Sequence, residues 1–222
     1  MSEEKKKVGV IVCNNRNSRR NPGKNVRLYS FTRTWLEKEM ERWADLYDVE
    51  VMELVRPDAP KVWQTETLPG GEWTYSGHQP FEQHVREVDY ASRLFSRKMD
   101  VLVLAQLSQP VRRPRLLRDV VRDTLARPRQ VTETYVLSID ERWREVVAFK
   151  AREHLPARRV RLLDGALYGW SPRYVPVEDV FSPCLRRNWV CHYEGYPIDI
   201  DFPWQEVPGV FTAMNEYLEE KE

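Results

Sequence analysis

Residues Lys5–Val26 read KKKVGVIVCNNRNSRRNPGKNV, and the fold follows from this stretch. Val8, Val10 and Val12 make a short apolar run that stops at Cys13-Asn14-Asn15. A loop with Arg16, Arg19, Arg20 and Pro22 comes next, and from Asn25 the spacing is helical. A buried strand, a polar loop and a helix in succession build an anion site in an α/β protein. The unpaired N–H groups and positive pole of the helix face the loop.

The chain beyond this stretch repeats the alternation. Asn25–Leu46 carries Leu28, Phe31, Trp35, Leu36, Met40 and Trp43 at helical spacing, which predicts a helix packed on a sheet. Asp48–Val55 (DVEVMELV) alternates and predicts a second strand. Arg56–Pro80 is rich in proline, glycine and aromatics without a period, so it reads as a long excursion, functional or partner-facing. Phe81–Lys98 predicts a helix, and Asp100–Ala105 (DVLVLA) is apolar throughout, as a central parallel strand should be. Gln106–Arg113 is then a loop at that strand's carboxyl end, and Pro114 opens a helix through Leu116, Leu117, Val120, Val121 and Leu125. Thr132–Ile139 predicts a fourth strand, Asp140–His154 a helix capped by Asp140, Arg158–Leu163 a fifth strand, and Val207–Lys221 a last helix.

This order predicts a three-layer α/β fold of the flavodoxin-like kind. The expected sheet has five parallel strands in the order 2-1-3-4-5, with a ligand crevice at the carboxyl ends of strands one and three. One domain over residues 1–222 is expected, with a core at 1–164 and an irregular, aromatic-rich extension at 165–222.

Composition narrows the function classes. Charged residues make up 31% of the chain but balance to +1, which argues against a nucleic-acid partner. Cys13, Cys184 and Cys191 are too irregularly spaced for a disulfide framework or a metal box, so no metal site is expected. The amino terminus is charged and no apolar run reaches the ~18 residues of a membrane span, so no membrane association is expected and a cytoplasmic location is.

The loop after the first strand offers Asn14, Asn15, Ser18 and Asn21 as hydrogen-bonding groups and Arg16, Arg19 and Arg20 as charges, a phosphate-holding set. The chain lacks GxGxxG and GxxxxGK[ST], so neither a dinucleotide-binding Rossmann site nor a P-loop is supported.

The run Arg16-Asn17-Ser18-Arg19-Arg20-Asn21-Pro22, with Val26 beyond it, resembles the first loop of the NADPH-dependent FMN reductases, G-S-x-R-x-x-R-x-N-P-x-V. That family includes small quinone and azo reductases. A second family loop, T-P-x-Y-N-x-x-x-P-x-x-L-K-N, falls on Gln106-Leu107-Ser108-Gln109-Pro110 and then Pro114, Leu117, Arg118 and Asp119. A third, S-Y-G-G, falls on Leu137-Ser138-Ile139-Asp140. The resemblance spans about Lys7 to Leu163. It implies FMN held by Asn14, Asn15, Arg16, Ser18, Arg19 and Asn21 at the phosphate and by Gln106, Leu107, Ser108, Gln109, Pro110 and Ser138 at the ring. It further implies reduction by NADPH or NADH, a quinone-like or other small aromatic acceptor, and a homodimer or higher homo-oligomer with Arg56–Pro80 as the seam.

The ring-facing loops here lack the family's Tyr-Asn and its glycines, which let a backbone approach an isoalloxazine. A second reading therefore keeps the scaffold without flavin. In it a cofactor-independent isomerase, dehydratase or cyclase acts on a small secondary metabolite, with His78, His84, Tyr75 and Asp140 as acid/base candidates. A silent binding homologue is a third. Arg112, Arg113 and Arg115 beside the second loop would favour an anionic ligand in either case.

Overall fold

A computed structural model describes residues 4–14, 23–55, 64–67, 81–95, 98–138, 160–182, 185–194, 198, 200 and 207–221; at 55, 64–67, 81–84, 86–87, 138 and 160–164 it describes the backbone alone. The elements in chain order are β1 (Lys6–Asn14), α1 (Lys24–Arg42), β2 (Tyr47–Val55), β3 (Gln64–Thr67), α2 (Phe81–Leu94), β4 (Val101–Ala105), α3 (Leu116–Ala126), β5 (Val131–Ser138), β6 (Val160–Trp170), α4 (Val177–Val180), β7 (Arg187–Glu194) and α5 (Pro208–Glu220). The expected helix at Asp140–His154 lies outside the described residues.

The strands form a seven-stranded sheet in the order β3-β2-β1-β4-β6-β5-β7. β6 runs antiparallel to β4 and to β5, whereas the β1–β2, β1–β4, β2–β3 and β5–β7 pairs are parallel. The α/β class is therefore as expected, and the five-stranded all-parallel order is not. The two C-terminal strands of the expected five exchange places, and the last one points the other way. Residues 165–170 and Arg187–Glu194 are strand where an irregular extension was expected, and Gln64–Thr67 adds a parallel edge strand beside β2.

Burial on both faces explains the near-continuous apolar runs of β1 and β4. Val8, Val10 and Val12 pack with Trp35 and Leu36 of α1 and with Leu116, Leu117 and Val120 of α3. Ile11, Leu102 and Leu104 face the other way, toward Val88 and Ala91 of α2 and toward Trp170. A smaller cluster joins Leu28 of α1 to Val111, Val136, Ile200 and Phe211, which seats α5 across the carboxyl end of the sheet. Phe31 and Phe211 meet edge to face at 5.8 Å there.

The placing of β6 rests on a close approach. A Cβ at Gly169 would come 2.6 Å from Val120 Cγ1 and 2.7 Å from Thr124 Oγ1, so α3 lies directly on the strand at that point. Thr124 also donates to Val120 O, and its Oγ1 is 3.0 Å from Thr132 Oγ1. One strand further on, the β5–β6 register shifts between Glu133 and Tyr135, and the Leu167 N–H there donates to Thr134 Oγ1 at 3.1 Å. Side-chain hydroxyls thus help fasten the reversed strand.

Among the described residues no helix is long and apolar enough to cross a membrane.

Candidate functional site

Two strand-to-helix passages leave the carboxyl edge of the sheet side by side, because β1 and β4 are neighbours. They end differently. The first runs from Asn14 to Gly23, which takes φ 74° and opens α1. This left-handed residue suits glycine. Gly23 has no side chain with which to cap α1, the first turn of α1 holds no acidic residue, and the Val26 and Arg27 N–H groups both donate to Gly23 O. The first residue of α1, Lys24, is buried, and its Nζ donates to Ile200 O.

The second passage, from Gln106 to Arg115, is sealed from inside. Glu39 of α1 is fully buried, and its carboxylate accepts the N–H of Arg115 at 2.9 Å and of Leu117 at 3.2 Å. Arg42 Nη1 donates to it at 2.8 Å. Burial pushes the Glu39 carboxyl above the usual range, and these three donors only partly offset that. A carboxylate from the protein itself therefore occupies the positive pole of α3. Arg115 has φ 61° to make the turn.

The arginines of the second passage are likewise engaged inside the protein. Arg112 is 2% exposed; its Nη1 donates to Thr32 Oγ1 at 2.8 Å, its Nη2 donates to Gln106 O, and its guanidinium lies 5.3 Å from the Trp35 ring centre. Arg113 donates to Cys191 O and pairs with Asp119 at 2.6 Å. Burial alone would raise the Asp119 carboxyl, but hydrogen bonds from Arg113 and Arg118 outweigh it and hold it below the usual carboxylate range. The expectation that Arg112 and Arg113 favour an anionic ligand is corrected by these contacts. They tie the β4–α3 loop to α1, β7 and α3.

The remaining residues of that loop do reach the carboxyl edge. Leu107, Gln109 and Pro110 are buried, and Gln106 and Ser108 are half-buried. The Gln106 N–H donates to Ala166 O at 3.1 Å, and Ser108 O accepts the Ile200 N–H at 2.9 Å. Asn215 of α5 bridges the loop, accepting from Arg112 N and donating to Pro110 O.

A buried polar cluster lies at the carboxyl end of β1. Asn14 shares its sheet face with Val12, which is paired with Glu53 of β2. Asn14 Nδ2 donates to Glu53 Oε1 at 2.6 Å; Asn14 is 3% and Glu53 1% exposed. Tyr29 of α1 lies against the same carboxylate. Burial first, and then Glu53, push its phenol well above the usual range, so it stays protonated.

Of the residues singled out from sequence, Asn14, Gln106, Leu107, Ser108, Gln109 and Pro110 share the carboxyl edge. Ser138 ends β5, and its backbone pairs with Val160. Asn15, Arg16, Ser18, Arg19, Asn21, Tyr75, His78 and Asp140 lie outside the described residues, as does most of the Arg56–Pro80 seam; His84 is placed by its backbone alone, in α2. Sequence reading missed Tyr29, Glu39 and Glu53. Glu53 carried a usable signal, being an acid on the apolar face of an alternating strand. Among the described residues no group of three or more His, Cys, Asp or Glu side chains could hold a metal ion.

No family model and no curated protein matches the chain. Solved structures do share its fold. The chain is similar to CMP:2-keto-3-deoxy-manno-octonic acid synthetase complexed with CTP, with a TM-score of 0.57 and 13% identity over 94% of this chain and 98% of that one. It is similar to 4-diphosphocytidyl-2C-methyl-D-erythritol synthase from Anaerococcus prevotii DSM 20548, with a TM-score of 0.51 and 11% identity over 96% of each chain. It is also similar to Rv0371c from Mycobacterium tuberculosis H37Rv, with a TM-score of 0.53 and 10% identity over 90% and 95%. At such identities the likeness is one of fold.

These neighbours overturn the resemblance to FMN reductases. The sheet is mixed and reversed at β6, and its solved counterparts include synthases of cytidylyl compounds. FMN, NADPH or NADH, the quinone-like acceptor and the oxidoreductase class are withdrawn with it. So are the flavin-free isomerase, dehydratase or cyclase and the silent homologue, since each assumed a flavodoxin scaffold.

Proposed function

We propose that this chain is a nucleotidyltransferase that moves a cytidylyl group from CTP to a small anionic acceptor such as a sugar acid or sugar phosphate. The observation that carries this reading is the seven-stranded sheet with β6 reversed, in a chain similar over 94–96% of its length to two synthases named for cytidylyl products, one complexed with CTP. The same whole-length likeness supports one domain over residues 1–222.

The chemistry is a substitution at the α-phosphorus. A P–O bond forms to an acceptor oxygen as the bond to the β-phosphate bridge breaks, and pyrophosphate leaves with the electron pair. If the acceptor presents a hydroxyl, its proton goes to solvent or a nearby base; an anionic oxygen needs no base. The protein's task is to hold the triphosphate and spread the charge growing on the leaving group. Arg16, Arg19, Ser18 and Asn21 are assigned to the triphosphate, on the passage that ends at Gly23 and opens a helix with no acidic residue in its first turn. Gln106, Ser108 and Gln109 are assigned to the ring edge of the base, on the neighbouring loop.

Thermal unfolding with and without nucleotide tests this. Millimolar CTP should raise the melting temperature, and ATP and GTP should raise it less. Pyrophosphate release should appear when sugar acids or sugar phosphates are added with CTP. Neither a shift nor release with any acceptor of these classes would remove the reading.

A further inference from the structure

The Asn14–Glu53 pair carries a further consequence, which rests on the cytidylyltransferase reading. Asn14 is the last residue of β1, where the chain leaves the sheet for the arginine-bearing loop. Its amide orientation is fixed, because Nδ2 donates to the buried carboxylate of Glu53 at 2.6 Å, and a carboxylate can only accept. The opposite atom, Oδ1, is buried, and among the described residues no donor reaches it. A buried acceptor left unmatched is costly, and such groups in native proteins call for an explanation such as water, an ion or a functional role.

We propose that Asn14 is a specificity-determining residue whose Oδ1 accepts a hydrogen bond from a donor on the bound nucleoside. Two groups of a cytidine nucleotide offer that chemistry, the exocyclic amine of the base and a ribose hydroxyl. Uracil carries a carbonyl where cytosine carries its amine, so it would set acceptor against acceptor. A 2′-deoxyribose lacks the corresponding hydroxyl. Glu53 acts through Asn14 as a positioning residue. With a carboxylate at 53 the amide cannot turn over, whereas a glutamine there would accept either orientation.

The test is equilibrium binding of CTP, UTP and 2′-deoxy-CTP to the full chain, as wild type, Asn14→Leu and Glu53→Gln, with circular dichroism and melting to confirm folding. Wild type should prefer CTP over one of the two analogues by about ten-fold or more, the size of one hydrogen bond left unmade. Preference over UTP assigns the amine, and preference over 2′-deoxy-CTP assigns the ribose. Asn14→Leu should bring that ratio toward one. If the amine is the source, Glu53→Gln should also narrow it, chiefly by improving UTP binding. If Asn14→Leu does not fold, Glu53→Gln decides the amine case and Asn14→Ser, too short to reach the ligand, decides the ribose case. Folded variants with both ratios unchanged from wild type would overturn the assignment while leaving the cytidylyltransferase reading intact. Failure of wild type to bind any of the three nucleotides would overturn both.

Discussion

The carboxylate of Glu39, on α1, accepts the backbone N–H of Leu117, on α3, at 3.2 Å, so one helix caps another through a fully buried side chain. Without that carboxylate, the buried N–H of Leu117 would lack an acceptor and the part-buried N–H of Arg115 would lose its own. Glu39→Ala should cost about 2–4 kcal/mol, and Glu39→Gln, which keeps one acceptor oxygen, should cost less. Urea unfolding of both variants measures this. Equal costs would show that packing volume, not capping, sets the contribution.

Glu39 and Asp119 should act oppositely on the pH dependence of stability. The Asp119 carboxyl is held below its usual value, so the folded state gives up that proton more readily, and its contribution is lost as pH falls below about 4. The Glu39 carboxyl is raised, so the folded state holds that proton more tightly, and stability falls as pH climbs from about 4.3 through its folded value. Urea midpoints across pH should lose their acid limb in Asp119→Asn and flatten above that limb in Glu39→Gln. An unchanged profile in Glu39→Gln would show that another group governs it.

Two kinds of arginine should separate on mutation. Arg112 is buried and bonded to Thr32 and Gln106 O, so Arg112→Ala should destabilise the fold by about 2–4 kcal/mol, and lysine, without the forked geometry, should rescue it poorly. Arg16→Ala and Arg19→Ala should weaken CTP binding about ten-fold each with little change in melting temperature. Paired binding and melting measurements decide. Stability losses at Arg16 and Arg19 without binding losses would take the phosphate role from them.

Gly169→Ala should destabilise by about 1–3 kcal/mol, because its new Cβ would overlap Val120 Cγ1 at 2.6 Å. Adding Val120→Ala should make the pair less costly than the sum of the singles, which a double-mutant cycle reads. Strict additivity would mean that α3 shifts away as a body.

In the sheet's left half β1, β2 and β4 were legible, because their apolar runs and alternation carry their burial, and the loops they open follow from position alone; the edge strand β3, inside the aperiodic stretch Arg56–Pro80, was not. The right half was not. Direction is invisible in a strand's composition, so Val160–Trp170 reads the same parallel or antiparallel, and the glycines at 165 and 169 suggest an early end. Gly169 is instead the point at which α3 presses on the strand. At the site, Asn14 and Gln106–Pro110 were legible as strand-end loops. The capping by Glu39 was not, since its partners are 76 and 78 residues away. The arginines at 112 and 113 misled for a related reason: charge in a loop looks solvated until its carbonyl and carboxylate partners are known.

The reversed β6 also governs the order in which the molecule can be completed during synthesis. β5 has no hydrogen bond to β4; it reaches the left half of the sheet only through β6, which emerges later from the ribosome. Until β6 is made, β4 presents an open, wholly apolar border, and β5 has no sheet neighbour. A nascent chain stalled in this interval exposes the strand edge most prone to pairing with another chain. Insertion of one strand between two already made therefore turns vectorial translation into a window of vulnerability that lasts until β6 is complete, and at the outer edge of β5 until β7 follows.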